Sequence, residues 1–128
     1  MEKVDPYAEL GGDEGVRALV ERFYDQMERL PEVREIRAMH DDDLDTMRER
    51  LYEFLSGWLG GPPLYQERHG SLCIRSAHAP FPIGADARDQ WLLCMARALD
   101  EAKLGDPTRG LLDQAFARIA GALVNRSS

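Results

Sequence analysis

Apolar residues recur every three to four positions along four stretches of this chain, which is the spacing of one buried face on an α-helix. No stretch alternates between apolar and polar residues for long enough to form a strand. A short extra helix is expected from Glu32 to about Ala38, because Pro31 ends the first stretch and suits the first turn of a new one. The pattern predicts an all-α fold. Its four main helices run from Glu14 to about Leu30, from Leu44 to Leu59, from about Asp86 to Gly105, and from Asp106 to about Val124.

The faces expected to be buried follow from the same spacing. The first helix carries Val16, Leu19, Val20, Phe23, Tyr24 and Met27. The second carries Leu44, Met47, Leu51, Phe54, Leu55, Trp58 and Leu59. The third carries Trp91, Leu92, Met95, Ala98, Leu99 and Ala102, and the fourth carries Leu111, Leu112, Ala115, Phe116, Ile119, Ala120, Leu123 and Val124.

The segments between the helices differ in character. Residues 1–12 are expected to be a short leader that ends at a Gly-Gly break, after which Asp13 caps the first long helix. Residues 41–43 are three aspartates, which favour a helix cap over a metal site because no calcium-loop pattern surrounds them. Residues 62–85 contain four prolines and little periodicity, and a loop of that length in a small domain is usually functional.

Length and charge limit the possible classes of protein. A chain of 128 residues is expected to form one domain, residues 1–128. The formal net charge of −7 argues against nucleic acid and against an anionic membrane surface. The N-terminus lacks the apolar core of a signal peptide, so a cytoplasmic location is expected, and Cys73 and Cys94 are expected to be partly buried thiols.

His78 is the first candidate for chemistry. Pro80 and Pro82 follow it, and since each lacks an N–H, no regular helix continues through them. The imidazole is therefore held at a forced stop near Phe81 and Ile83, which suits a flat apolar ligand that carries iron. A structural histidine with an internal hydrogen bond is the alternative.

Three further residues combine a polar group with an apolar body: Tyr24, His40 and Trp91. A buried O–H or N–H needs an acceptor, and a ligand can provide it. Donors of this kind would hold the partial negative charge of dioxygen on ferrous iron. Taken alone, Tyr24 or Trp91 fits core packing with an internal hydrogen bond better. The three residues together, opposite a candidate axial histidine, favour a bound ligand.

Other kinds of site find no support in the sequence. The pair Gly11-Gly12 does not match a phosphate-binding loop, because it lacks the lysine and the preceding strand of such a loop. Neither cysteine has a C-x-x-C partner, and the three histidines lack the spacing of a helical metal pair. Because no C-x-x-C-H motif is present, a haem would be held without a covalent bond.

Several ordered motifs resemble those of a known family across nearly the whole chain. They are residues 7–12 (YAELGG), residues 22–24 (RFY), residues 39–40 (MH), residues 54–63 (FLSGWLGGPP), residues 78–83 (HAPFPI) and residues 88–95 (RDQWLLCM). The chain resembles a truncated haemoglobin of the second group, the O type. That resemblance implies a globin-like two-over-two helical sandwich around haem b.

The resemblance also implies roles for individual residues. His78 matches the proximal iron ligand, and Tyr24 and Trp91 match distal donors toward a bound ligand. His40 matches a position that varies among tyrosine, histidine and phenylalanine.

Further positions would line the haem. Phe23, Met47 and Leu51 would form the distal wall, and a small residue is common in the family where Met47 stands. The family often has an arginine where this chain has Ala77. Arg50 and Arg75 are then the candidates for the propionates, since guanidinium matches carboxylate geometry, although both also fit solvated surface charges. The remaining haem contacts would be Phe54, Phe81 and Ile83.

Two functions remain open at this point. The first is a haem protein that binds dioxygen, carbon monoxide or nitric oxide at five-coordinate iron, with slow release because several donors hold the ligand. The alternative is a haem enzyme for nitric oxide dioxygenation or peroxide reduction that depends on an external reductase. A haem-free helical interaction module would leave the long proline-containing segment unexplained. Either haem protein would be a monomer or a homodimer.

Overall fold

The computed structural model describes residues 5–40, 42–71 and 73–125. These residues form eight α-helices and one 3-10 turn, with no strand among them. The prediction of an all-α protein is confirmed. The helices are α1 (Pro6–Leu10), α2 (Gly12–Arg29), α3 (Arg34–Ala38), α4 (Asp45–Trp58), α5 (Leu64–His69), α6 (Ile74–His78), α7 (Ala85–Asp100) and α8 (Asp106–Ala122), and the 3-10 turn is Pro31–Val33.

Two pairs of long helices form the sandwich. Helix α2 packs against α4, and α7 packs against α8. The pairs meet where α2 lies across α7, which is the most extensive helix contact in the described chain. This is the expected two-over-two arrangement, and its core lies between the pairs.

The predicted inner face of α2 is confirmed. The six apolar positions from Val16 to Met27 are all buried. Their spacing places them on one stripe, which is wide enough to face both α4 and α7. The helix ends at Leu30, whose extended backbone leads into the turn that Pro31 begins.

The protein itself buries the predicted apolar face of α4 only in part. Leu44, Leu55 and Leu59 are buried, but Leu51, Phe54 and Trp58 are only half-buried, and Met47 keeps 37% of its surface exposed. A second side of the helix is buried instead, with Tyr52, Glu53 and Ser56. Since Met47, Leu51 and Phe54 follow helical spacing, they form one apolar stripe that the rest of the protein covers incompletely.

The predicted leader and the predicted cap of α2 are also corrected. Residues 6–10 form α1, and the Asp5 carboxylate accepts a hydrogen bond of 3.2 Å from the Ala8 N–H. Helix α2 begins at Gly12 after Gly11, which lies in the left-handed region at φ 106°. Asp13 does not cap it. Its carboxylate accepts a hydrogen bond from the Tyr52 hydroxyl and so joins α2 to α4.

The aspartates before α4 act as a cap in part. The Asp43 carboxylate accepts a hydrogen bond of 2.9 Å from the Asp45 N–H in the first turn of α4, as expected for a helix start. Residue 41 lies outside the described residues.

Residues 62–85 are more regular than predicted, because they contain α5 and α6. A proline disrupts a helix only in the turn that contains it. Residues 64–69 and 74–78 contain no proline, so both segments can form helices. On α8, the predicted positions Leu112, Phe116 and Ala120 are buried, but Leu111 is 48% exposed.

The two cysteines differ from each other. Cys94 is buried and Cys73 is exposed, so the expectation of two partly buried thiols is wrong for Cys73. Burial raises the pKa of Cys94 to about 12. No helix in the described part of the chain is both long and apolar enough to span a bilayer.

A buried carboxylate ties α4 to α5. Glu53 is 3% exposed, and its two oxygens accept hydrogen bonds of 2.9 Å from Arg68 and from His69. Burial raises the pKa of Glu53, but the hydrogen bonds from Arg68 and His69 outweigh burial and bring the pKa below its usual value. The charged form of Glu53 is therefore favoured by the fold.

A substitution at Gly15 tests how closely α1 packs against α2. A Cβ at this position would lie 1.8 Å from the Leu10 carbonyl oxygen, whereas a Cβ at Gly110 on α8 would meet nothing within 4 Å. We expect Gly15→Ala to lower the free energy of unfolding by about 1–3 kcal/mol and Gly110→Ala to raise it by about 0.5–1 kcal/mol. Urea unfolding measures both, and equal effects at the two positions would contradict the described approach of α1 to α2.

The pH dependence of the stability of a Glu53 variant tests the link between α4 and α5. A carboxylate whose pKa is lowered by folding stabilises the protein above its unfolded-state pKa, and this stabilisation is lost as the pH falls through the folded-state pKa. Glu53→Gln should therefore melt below the wild type at pH 7, with a difference that shrinks toward pH 3. Glu49→Gln is the matched control, because Glu49 is an exposed carboxylate that also lies near Arg68. A melting difference for Glu53→Gln that is constant across pH would contradict the assignment.

Candidate functional site

Aromatic rings from three elements meet beside the inner face of α2. The Phe23 ring lies 5.0 Å from the Tyr24 ring and 5.2 Å from the Trp91 ring on α7, measured between centroids. The His40 ring, just after α3, lies 6.1 Å from the Tyr24 ring. Three residues that the sequence singled out as polar groups on apolar bodies therefore form one cluster.

Tyr24 is buried, yet its hydroxyl is weakly engaged by the protein. Only 4% of the residue is exposed, and its O–H donates to the Met47 carbonyl oxygen at 3.4 Å, which is long for an O–H···O bond. Burial raises the pKa of Tyr24 far above its usual value, and the positive charge of Arg48 lowers it only in part. The hydroxyl is therefore protonated at any physiological pH and is available as a donor.

His40 has a defined tautomer. Its Nδ1 lies 2.7 Å from the Ile36 carbonyl oxygen, and a carbonyl oxygen can only accept, so Nδ1 carries the hydrogen. The neutral ring then presents a lone pair at Nε2. The His40 ring can donate a hydrogen bond from Nε2 only in the protonated, imidazolium form.

Trp91 completes the cluster from α7. It is half-buried, and its ring also lies 5.7 Å from that of Phe116 on α8. No described residue accepts a hydrogen bond from its indole N–H. Since an indole N–H can only donate, this group too is available to an acceptor that is not part of the chain.

His78 is the last residue of α6 and is half-buried. Its Nδ1 lies 2.8 Å from the Ile74 carbonyl oxygen one turn earlier. As for His40, this bond fixes the hydrogen on Nδ1 and leaves Nε2 with a free lone pair. A backbone carbonyl on one ring nitrogen is the usual arrangement for a histidine that binds a metal through the other.

The segment after His78 is held by hydrogen bonds. The Phe81 N–H donates to the His78 carbonyl oxygen at 3.0 Å. Ile83 packs against the core cluster, whereas Phe81 keeps 42% of its surface exposed. The exposed Phe81 side chain, three residues after His78, gives this segment an apolar surface.

The predicted site residues fall into separate groups. Phe23, Tyr24, His40, Met47 and Trp91 lie together, and His78, Phe81 and Ile83 lie together in the segment around the end of α6. Within the described chain, no hydrogen bond or ring contact joins the first group to the second. The stripe residues Leu51 and Phe54 pack against the core cluster from α4.

The two arginines proposed for the propionates differ in their surroundings. Arg50 is engaged by the α4–α5 link, with its Nη1 3.5 Å from a Glu53 oxygen and 3.1 Å from His69 Nδ1. Arg75 is exposed on α6 and lines a cavity of about 480 Å³, together with Ala79 and with residues 121–125, which include the end of α8 and the three residues after it. This cavity is distinct from the aromatic cluster.

Sequence reasoning missed three residues that shape these groups. Arg48 lies 5.9 Å from the Tyr24 ring centroid, Glu53 anchors the α4–α5 link, and Asn125 bonds to the segment after His78. A glutamate next to an otherwise apolar face gives a weak signal for Glu53. The other two depend on tertiary contacts that no local pattern encodes.

The residues present fit a flat apolar group with a metal centre. The half-covered stripe of α4, the exposed face of Phe81 and the half-buried Trp91 provide apolar surface. His78 Nε2 offers a nitrogen ligand, while the Tyr24 O–H and the Trp91 N–H lack a strong acceptor in the protein. These features together match the donor set and surface that haem requires.

Comparison with known proteins gives a consistent result. A family model of bacterial-like globins matches residues 5–125. The group 2 truncated hemoglobin YjbI of Bacillus subtilis is 35% identical over 122 residues, which cover 95% of this chain and 89% of the relative.

Solved structures agree with the sequence relatives. The cold-adapted truncated hemoglobin of the Antarctic marine bacterium Pseudoalteromonas haloplanktis superposes with a TM-score of 0.92 at 41% identity, covering 96% of this chain and 99% of that one. A group II 2-on-2 hemoglobin of Agrobacterium tumefaciens superposes with a TM-score of 0.91 at 42% identity, covering 98% and 97%. The chain therefore belongs to the bacterial-like globins and, within them, to the group II truncated haemoglobins.

Proposed function

We propose that this globin is a haem b protein that binds dioxygen and other diatomic gases and releases dioxygen slowly. In the reduced, ligand-free protein the iron would be five-coordinate, with His78 as its only protein ligand. The observation that carries the proposal is the pair of available donors, the Tyr24 O–H and the Trp91 N–H, whose rings both lie against Phe23. Tyr24 also reaches Met47 on the apolar stripe that the protein leaves half-covered.

His78 is the residue that would hold the group. Its Nδ1–H donates to the Ile74 carbonyl oxygen, so that the Nε2 lone pair is free. When bound, haem would supply the iron that binds a diatomic gas. Neither cysteine stands in a C-x-x-C-H motif, which supports a haem held by coordination and packing alone.

Tyr24 and Trp91 would hold the ligand. Both residues are available donors, and both of their rings contact the Phe23 ring. They come from two different helices, α2 and α7. In a site shielded from water, a hydrogen bond to a ligand that carries partial charge is stronger than in solution. Two such donors would slow dissociation. A structurally similar truncated haemoglobin from Bacillus subtilis, 34% identical with a TM-score of 0.85, is called oxygen-avid.

His40 would have a different role from the two donors. As a neutral ring it presents an acceptor at Nε2 near the Tyr24 ring, because Nδ1–H is already bound to the Ile36 carbonyl oxygen. We therefore assign direct donation to Tyr24 and Trp91. His40 would donate to a ligand only in its protonated form.

The apolar walls would exclude water from the ligand. Phe23 lies among the donors, and Met47 and Leu51 stand on the half-covered stripe, with Phe54 further along it. Phe81 and Ile83 would form the wall on the His78 side. The thioether of Met47 is flexible and is 37% exposed, which suits a side chain at the ligand entrance.

Arg75 is the better candidate for a propionate. Arg50 already contacts Glu53 and His69, and moving it to a propionate would remove one cation from the buried Glu53 carboxylate. Arg75 has no such partner among the described residues and lies one turn before His78 on α6. A guanidinium there would match the geometry of a carboxylate at the haem edge.

Among the described residues, no contact favours nitric oxide dioxygenation or peroxide reduction over ligand binding, and a reductase partner would have to be external to this chain.

The iron ligand is tested by removing the imidazole. In His78→Ala, we expect haem to lose its native coordination, so that the iron–histidine band in the resonance Raman spectrum of the ferrous protein disappears. His69→Gln is the control, since His69 bonds to Glu53 on the α4–α5 link. A His78→Ala protein that keeps the wild-type band would exclude His78 as the ligand.

The donor role is tested at Trp91. Trp91→Phe keeps the aromatic packing on Phe23 but removes the N–H, and the loss of one hydrogen bond should raise the dioxygen dissociation rate by about tenfold. Stopped-flow displacement of dioxygen by carbon monoxide measures the rate. Trp58→Phe makes the same change in a tryptophan that contacts Phe54 and Phe116, and its effect should be much smaller. An unchanged rate in Trp91→Phe would remove Trp91 from ligand binding.

A further inference from the structure

Helix α6, which carries His78, receives little support from helix packing. None of its five residues is buried, and it makes no extensive contact with another helix in the described chain. A cavity of about 480 Å³ separates part of α6 from the end of α8. The orientation of His78 must therefore depend on contacts other than core packing.

The segment that follows α6 is fixed by Asn125, three residues beyond the end of α8. The side-chain Nδ2 of Asn125 donates to the Phe81 carbonyl oxygen at 2.9 Å, and its Oδ1 accepts from the Ile83 N–H at 2.9 Å. The backbone N–H of Asn125 donates to the Ile83 carbonyl oxygen at 2.8 Å. One residue thus makes three hydrogen bonds to a stretch of three residues.

These bonds need a carboxamide. The Phe81 carbonyl oxygen requires a donor and the Ile83 N–H requires an acceptor, so the two partners fix which way the amide faces. Pro80 and Pro82 have no N–H, and the remaining Phe81 N–H donates back to the His78 carbonyl oxygen at 3.0 Å. A continuous series of hydrogen bonds therefore runs from the end of α8 through Phe81 to His78.

We infer that Asn125 is a positioning residue for His78: its amide, bonded to Phe81 and Ile83, fixes the segment that sets the angle of the imidazole and of the proximal apolar wall. The inference rests on the proposed role of His78 as the iron ligand. Asn125 bonds to Phe81 and Ile83, and it acts on His78 through the backbone of residues 81–83.

The test compares three variants of the haem-loaded, full-length protein. Asn125→Ala removes both side-chain bonds. Asn125→Asp keeps an acceptor for the Ile83 N–H but loses the donor to the Phe81 carbonyl oxygen. Gln114→Ala is the matched control, because it deletes an exposed carboxamide on α8 that makes no hydrogen bond to a described residue.

Two readouts separate positioning from general stability. Hydrogen–deuterium exchange of residues 79–84, followed by mass spectrometry, should be roughly fivefold faster or more in Asn125→Ala. The iron–histidine band of the ferrous protein should shift or broaden in Asn125→Ala and less so in Asn125→Asp. Neither readout should change in Gln114→Ala, and the melting temperature is measured alongside to confirm that each variant is folded.

The possible results lead to different conclusions. Unchanged exchange in Asn125→Ala means that the amide does not hold the segment in solution, and faster exchange with an unchanged iron–histidine band means that the segment does not orient His78. Either result overturns the positioning role while the proposed function stands. A wild-type protein without any iron–histidine band overturns the proposed function itself, and the positioning role with it.

Discussion

The packing of α2 against two helices at once is the constraint on which the distal half of the site depends. Its buried face is wide enough to meet α4 on one side and α7 on the other. Phe23 and Tyr24 are neighbours in the sequence and so point in different directions around the helix. Phe23 therefore reaches Trp91, while Tyr24 reaches Met47 and His40. The same burial that builds the core raises the pKa of Tyr24, and the hydroxyl makes only a long hydrogen bond, to the Met47 carbonyl oxygen.

The proximal half of the proposed site, around His78, is held in place by different interactions. Helix α6 has no buried residue, and the segment after it packs against the core through Ile83. Hydrogen bonds add to that contact: the Ile74 carbonyl oxygen fixes the tautomer of His78, and the bonds of Phe81 and Asn125 hold the chain that follows it. In the proposed site, donors positioned by helix packing would act together with a histidine whose angle depends on a few hydrogen bonds.

Much of this fold was predictable from spacing alone, because helical periodicity is a local property. The buried face of α2 was predicted residue by residue, as was the helical class of the whole chain. The predicted apolar face of α4 is buried at Leu44, Leu55 and Leu59, whereas Met47 is exposed and the remaining three residues pack only partly against the core. Periodicity identifies an apolar face, but it does not reveal whether protein or a guest covers that face.

The site itself was only partly predictable from the residues. His78, Tyr24 and Trp91 could be singled out because prolines, aromatic bodies and polar groups coincide along the sequence. The tautomers of His40 and His78 depend on carbonyl oxygens one turn away. The contacts of Asn125 and Glu53 join segments whose pairing only the folded chain reveals. The motifs shared with truncated haemoglobins supplied the roles that spacing left open.

The most direct measurement is a crystal structure of the protein purified after expression with ample haem. The proposal predicts haem against the stripe of Met47, Leu51 and Phe54, with its iron bound to His78 Nε2 and with the Tyr24 O–H and Trp91 N–H directed at the opposite side of the iron. A structure in which side chains close over that stripe, with the His78 ring in solvent and no metal bound to Nε2, would contradict it.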